Sequence, residues 1–135
     1  MKHLSTIHIA RFIISFSWLY HGLMPKLIHI APLEQQMTAS FGFNAEISML
    51  ITRAAGIGEI IFAVLFFIFY RSMLINILNI VALVGLMLFV AVLQPALLIE
   101  AFNPVTTNLA MIAFSLVLLN EQKALNKNTK PHNSA

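Results

Sequence analysis

Four long apolar stretches dominate this chain, and their lengths leave few architectures open. They cover about residues 5–24, 47–69, 73–93 and 105–119, each bounded by polar or proline-bearing segments. A helix needs about 17–25 apolar residues to cross the hydrocarbon core of a bilayer. Lipid also forbids unpaired backbone groups, so a span is either a helix or part of a closed barrel. Continuous apolar runs without two-residue alternation therefore predict an all-α integral membrane four-helix bundle. The last run is short for a span, but it can cross if Pro104 takes the first helical turn and the bilayer thins locally. Composition agrees: 59% of the 135 residues are hydrophobic and 10% charged. A soluble domain carries about 25% charged residues, so this chain lacks the side chains to coat itself in water.

The segments between and within these runs refine the expectation. Arg11 interrupts the first run, and Trp18-Leu19-Tyr20-His21 stands where a cleavage site would need small residues. The first run thus reads as a retained span rather than a removable leader. Trp18 and Tyr20 are expected in an aromatic belt at the far interface, and Pro25 is expected to end the helix. Residues 27–45 form the longest loop, with a short interfacial helix within 33–43 that stops at Gly42. Asn76 and Asn79 share a face of the third span. The stretch 96–102 is apolar but short, and dips into the interface.

Lys2, Arg71 and the tail lysines Lys123, Lys127 and Lys130 fall on one side of this arrangement. Lys26, Glu34, Glu46 and Glu100 fall on the other. By the positive-inside rule both termini are cytoplasmic, which requires an even number of spans. The expected organisation is a membrane domain over residues 1–120 and a polar cytoplasmic tail over 121–135, in a multi-pass protein of the bacterial inner membrane. The tail lysines read as an anchor to anionic lipid, and nucleic acid is not an expected partner. A homo-oligomer is compatible with this plan.

Ionisable residues inside the spans are the candidates for function, because each costs about 2.5–3.5 kcal/mol near a helix centre by insertion scales. Glu59 falls close to the midplane, Arg11 about 9 Å in from the cytoplasmic face at the helical rise, and His21 in the outer half. Lys26 falls at the outer interface. A buried Glu59–Arg11 pair that orients two helices is the bland reading; a proton-sensitive carboxylate lining a polar cavity is the functional one. Ala54, Gly56 and Gly58 make a small-residue strip suited to close helix packing. The chain has no cysteine, which excludes thiol chemistry and iron–sulfur ligation by its own residues. The histidines are too scattered for a protein-built metal site, and no catalytic constellation is visible.

Three blocks carry a family resemblance: Trp18-Leu19-Tyr20-His21-Gly22-Leu23-Met24-Pro25-Lys26, then Gly56-Ile57-Gly58-Glu59, then Phe102-Asn103-Pro104-Val105-Thr106-Thr107-Asn108. In these the chain resembles the DoxX-like family of small bacterial membrane proteins, over about residues 8 to 120. The resemblance implies a four-helix membrane bundle, and points to Arg11, Trp18, His21, Pro25, Lys26, Glu59, Asn103 and Asn108 as pattern residues. It also implies a membrane redox setting, since relatives include a subunit of thiosulfate–quinone oxidoreductases. The leading expectation is an accessory subunit of a quinone-linked redox complex, with membrane redox proteins as partners. In that reading Trp18, His21, Lys26 and Glu59, with Arg11, Asn103 and Asn108, would surround a quinone. A proton-coupled transporter using Glu59, and an assembly protein without chemistry of its own, are the alternatives; an independent enzyme is the least attractive.

Overall fold

The computed structural model describes residues 5–101 and 103–128, without the side chains of Leu33 and of residues 126–128. Lys2, Phe102, Lys130 and the end of the tail lie outside the described residues. Five α-helices form: α1 (Thr6–Leu23), α2 (Pro32–Ala39), α3 (Ala45–Phe69), α4 (Met73–Leu93) and α5 (Pro104–Asn128). Among the described residues there is no strand. Three helices, α3, α4 and residues Pro104–Leu125 of α5, are long and apolar enough to cross a membrane. The fourth expected span, α1, is not among them, because Arg11 and His21 fall within its 18 residues.

Helix α1 is nonetheless the centre of the bundle. Its buried positions Ala10, Ile14, Trp18 and Gly22 recur every fourth residue and form one stripe. That stripe packs with Ala63 and Phe66 of α3, Leu83 of α4, and Met111 and Leu118 of α5. The outward faces carry Leu50 at 68% exposure, Leu74 at 67% and Val92 at 79%. Apolar area of this extent needs lipid against it rather than water.

Local chemistry sets the ends of the elements. The Asn44 carboxamide oxygen accepts from the Ile47 backbone N–H and starts α3. Gly42, just before it, takes φ +83, the positive-φ turn expected there. Asn103 does the same work for α5: its Oδ1 accepts from Thr106 N–H at 3.1 Å. The Asn76 carboxamide donates to the Tyr70 and Ser72 carbonyls and ties down the α3–α4 turn. Residues 95–99 form a short 3₁₀ turn, and α5 continues through the first polar residues of the tail to Asn128.

Two local expectations are corrected. Pro25 does not stop the helical path; the chain widens into a π-type turn over Met24–Ile28. A proline removes one donor and clashes with the carbonyl four residues back. The wider turn relieves the clash and continues the hydrogen-bonded path, with His29 N–H reaching the Met24 carbonyl at 3.0 Å. Trp18 does not sit in an interfacial belt. It is 8% exposed, and its indole N–H donates to Asn79 Oδ1 at 2.6 Å. A buried partner on α4 outcompetes the interface for that N–H. Tyr20 stays exposed.

Candidate functional site

The site begins at a glycine contact between antiparallel helices. A Cβ on Gly22 would stand 2.5 Å from the Gly56 carbonyl oxygen, and one on Gly56 would stand 2.7 Å from that of Gly22. Only glycine on both helices permits this approach. Of the small-residue strip read from the sequence, Gly56 alone makes the contact; Ala54 and Gly58 are exposed. The same crossing, with the π-type turn just beyond it, swings Lys26 inward against α3. A Cβ on Gly56 would meet Lys26 Cβ at 2.8 Å.

Lys26 is consequently buried, not spread on the outer interface. Its Nζ donates to Glu59 Oε1 at 2.7 Å and lies 3.3 Å from Glu34 Oε1 of α2. One ammonium thus serves two carboxylates from different helices. Glu59 Oε2 is buried and has no hydrogen-bond partner. The expected Glu59–Arg11 pair does not form. Arg11 lies at the other end of α1, where its Nε donates to the Phe67 carbonyl at 2.8 Å and its guanidinium stacks on Phe67, 3.7 Å from the ring centre. Phe67 is eight residues from Glu59, about 12 Å along α3, so the glycine register assigns Glu59 to Lys26. Arg53 is exposed on α3 and belongs to neither arrangement.

Beside the Lys26 cluster opens a cleft of about 560 Å³. Tyr20 and His21 of α1 and Met24 of the π-type turn line one wall, with Glu34 and Met37 of α2. Leu86 and Val90 of α4 form its floor, and Asn103, Thr107 and Asn108 at the start of α5 close it. Most of the lining is apolar, and the polar groups converge from α1, α2 and α5. Asn108 is 1% exposed, and its Nδ2 has no hydrogen-bond partner. Buried donors are normally paired, and this carboxamide nitrogen of a cleft-lining residue is without a partner.

Of the residues the sequence nominated, His21, Asn103 and Asn108 therefore meet in this cleft. Lys26 and Glu59 adjoin it as an ion pair with Glu34. Trp18 lies in the core, in a chain that runs from its indole through Asn79 to Ser115 Oγ at 2.8 Å. Arg11 is at the opposite end. Sequence reasoning missed Glu34 as a partner of Lys26 and Ser115 as the end of the Trp18 chain. Nothing in either residue's own neighbourhood marks it, because both meet their partners across helices.

The sequence pattern of the DoxX-like family matches residues 15–116. The chain belongs to the DoxX-like family. The match takes in all three resemblance blocks and every nominated residue except Arg11, which precedes it. No curated protein and no solved structure matches the chain. Membership of the DoxX-like family and three long apolar helices make this a multi-pass membrane protein in contact with the lipid bilayer.

Proposed function

We propose that this DoxX-like protein binds a quinone-type lipophilic carbonyl compound in the cleft between α1, α2 and α5, as an accessory subunit of a redox complex in the bacterial cytoplasmic membrane. The observation that carries the reading is the unpartnered Asn108 amine, buried in a largely apolar cleft that also contains His21. A quinone ring needs an apolar slot and a donor at each carbonyl oxygen. Asn108 Nδ2 and an imidazole N–H of His21 are neutral donors that suit it. Redox chemistry would belong to the bound quinone and to a partner protein. The Lys26–Glu59–Glu34 cluster acts here as a fixed wall that holds α1, α2 and α3 together.

The proposed architecture is four spans with both termini cytoplasmic. It draws support from the course of α1, which follows α3 from the Arg11–Phe67 contact to the Gly22–Gly56 contact. Buried partners along that course offset the charges that weaken α1 as an independent span.

The test is purification in mild detergent with mass spectrometry of extracted lipids, followed by titration with a short-chain benzoquinone. A stoichiometric quinone is expected. Asn108→Leu should weaken binding about three- to tenfold, the value of one hydrogen bond. It should leave the fold intact, because it removes a donor that has no protein partner. Co-purification of phospholipid alone, or unchanged affinity in the variant, would overturn the reading. A second reading, proton-coupled transport, draws on the unpartnered Glu59 Oε2. It requires Glu59→Gln to abolish proton-coupled uptake in reconstituted vesicles, and is rejected if no uptake exists to abolish.

A further inference from the structure

The opposite end of α1 holds a second arrangement that the quinone cleft does not use. Arg11 and Arg71 both stack on Tyr70, their guanidinium carbons 4.6 and 5.6 Å from the ring centre. His8 lies against the same ring, 6.3 Å between centroids. Among the described residues neither arginine has a carboxylate partner, since both ion pairs present belong to Lys26. Arg11 spends one N–H on the Phe67 carbonyl, and a guanidinium has five. Two unneutralised cations therefore flank one ring where α1 begins and α3 turns into α4.

An apolar groove of about 270 Å³ leads away from this pair between α1 and α3. Phe12, Phe16, Val64 and Phe67 line it, and Phe67 is the ring on which Arg11 rests. The wall of the groove is almost wholly apolar. A phospholipid has its groups in the same order, an anionic phosphate and then an acyl chain.

We propose that this groove is a built site for one anionic phospholipid. Its phosphate accepts from Arg11 and Arg71 above Tyr70, and one acyl chain lies along Phe12, Phe16, Val64 and Phe67. Charge complementarity selects the occupant. A zwitterionic lipid would bring its own cation to a place that already holds two. A second copy of this chain would have to bring an acidic patch to match the two arginines, whereas its described carboxylates are dispersed, with Glu34 and Glu59 on Lys26, Glu46 at the start of α3, Glu100 beside the cleft and Glu121 single on α5.

The experiment is native mass spectrometry of the full chain in detergent, titrated separately with phosphatidylglycerol and phosphatidylcholine. The wild type should retain one phosphatidylglycerol at about tenfold lower concentration than phosphatidylcholine. Arg71→Gln, at an exposed position, should weaken phosphatidylglycerol retention about fivefold without unfolding the protein. Val64→Trp, which fills the groove and keeps both arginines, should weaken both lipids. Inorganic phosphate at millimolar concentration should not displace the lipid. Equal retention of the two lipids overturns the proposal, as does unchanged retention in either variant. Displacement by phosphate alone would also overturn it, by reducing the site to a surface anion patch.

Discussion

Replacing Lys26 by methionine isolates what the buried cluster contributes. The side chain of Lys26 is 10% exposed, Glu59 15% and Glu34 23%. Methionine keeps the volume of the stem but leaves two carboxylates turned toward a site with no cation. Removing one partner of a buried pair costs about 3–5 kcal/mol, because the remaining charge is uncompensated. Glu59→Gln is a milder change: the carboxamide oxygen still accepts from Nζ, and Glu34 still neutralises Lys26. Its expected cost is about 1–2 kcal/mol, below the value of a full charged hydrogen bond. The double variant Lys26→Met/Glu59→Met removes the tighter buried pair and should recover part of the loss, since apolar replacement of a pair is often near neutral, while Glu34, the most exposed of the three, is left to solvent. Unfolding in mixed micelles can be followed by the fluorescence of Trp18, the only tryptophan. The argument fails if Lys26→Met costs no more than Glu59→Gln, or if the double variant is as unstable as the two single losses combined.

Two further outcomes follow from the packing. Gly56→Ala should cost about 1–3 kcal/mol by overpacking, since the new methyl meets the Gly22 carbonyl and the Lys26 stem; cross-linking between α1 and α3 should fall in the same variant. A double-mutant cycle of Trp18→Phe with Asn79→Leu, followed by the loss of helical circular dichroism because Trp18→Phe removes the fluorescent probe, should give a coupling of about 0.6 kcal/mol, with about 1.7 as the ceiling seen for such bonds in membranes. Strict additivity would mean that the 2.6 Å hydrogen bond contributes nothing.

Much of the fold was legible because it is written in local pattern. Apolar run lengths located α3 and α4 closely, and Gly42 marked the stop of the segment before α3, although the Asn44 cap was not read from the sequence. The α3–α4 turn needed only Tyr70-Arg71-Ser72. The π-type turn at Pro25 was not legible. Proline argues for termination, and its rescue depends on α3 being close enough to hold the widened turn. Trp18 was misplaced for a related reason. An amphipathic ring suits an interface, and only a polar partner on another helix makes the core better. The ion pair was misassigned because depth along a span is a one-dimensional coordinate. Arg11 and Lys26 both lie within vertical reach of Glu59 if helix positions are uncertain by a turn or two. The Gly22–Gly56 contact removes that freedom, yet glycines on two helices do not announce that they meet each other. Of the candidate site, His21, Asn103 and Asn108 line one cleft, and that cleft exists only once α5 returns beside α1.

The register set by those glycines also limits what ligand the cleft can take. Lys26 is the cation nearest the cleft, and it is already engaged by two carboxylates, so its charge is not available to an anionic ligand. The donors that remain, the Asn108 carboxamide and the His21 imidazole, are of the kind that hold a neutral acceptor in an apolar wall. An anion placed there would face Glu34 and Glu100 in the same lining, which favours an uncharged carbonyl compound over a phosphate or a carboxylate. At the far end of α1 the balance is reversed: among the described residues Arg11 and Arg71 form no ion pair with a carboxylate, and the adjoining groove is apolar. In the two proposals taken together, one helix separates two kinds of lipophilic ligand by where its charge is neutralised. Exchanging the balance at the cleft, with Glu34→Gln and Glu59→Gln together, should leave Lys26 uncompensated and draw an anionic amphiphile to it. If such a variant binds only the neutral quinone, with unchanged selectivity against its carboxylated analogue, then charge compensation does not set the specificity of this cleft.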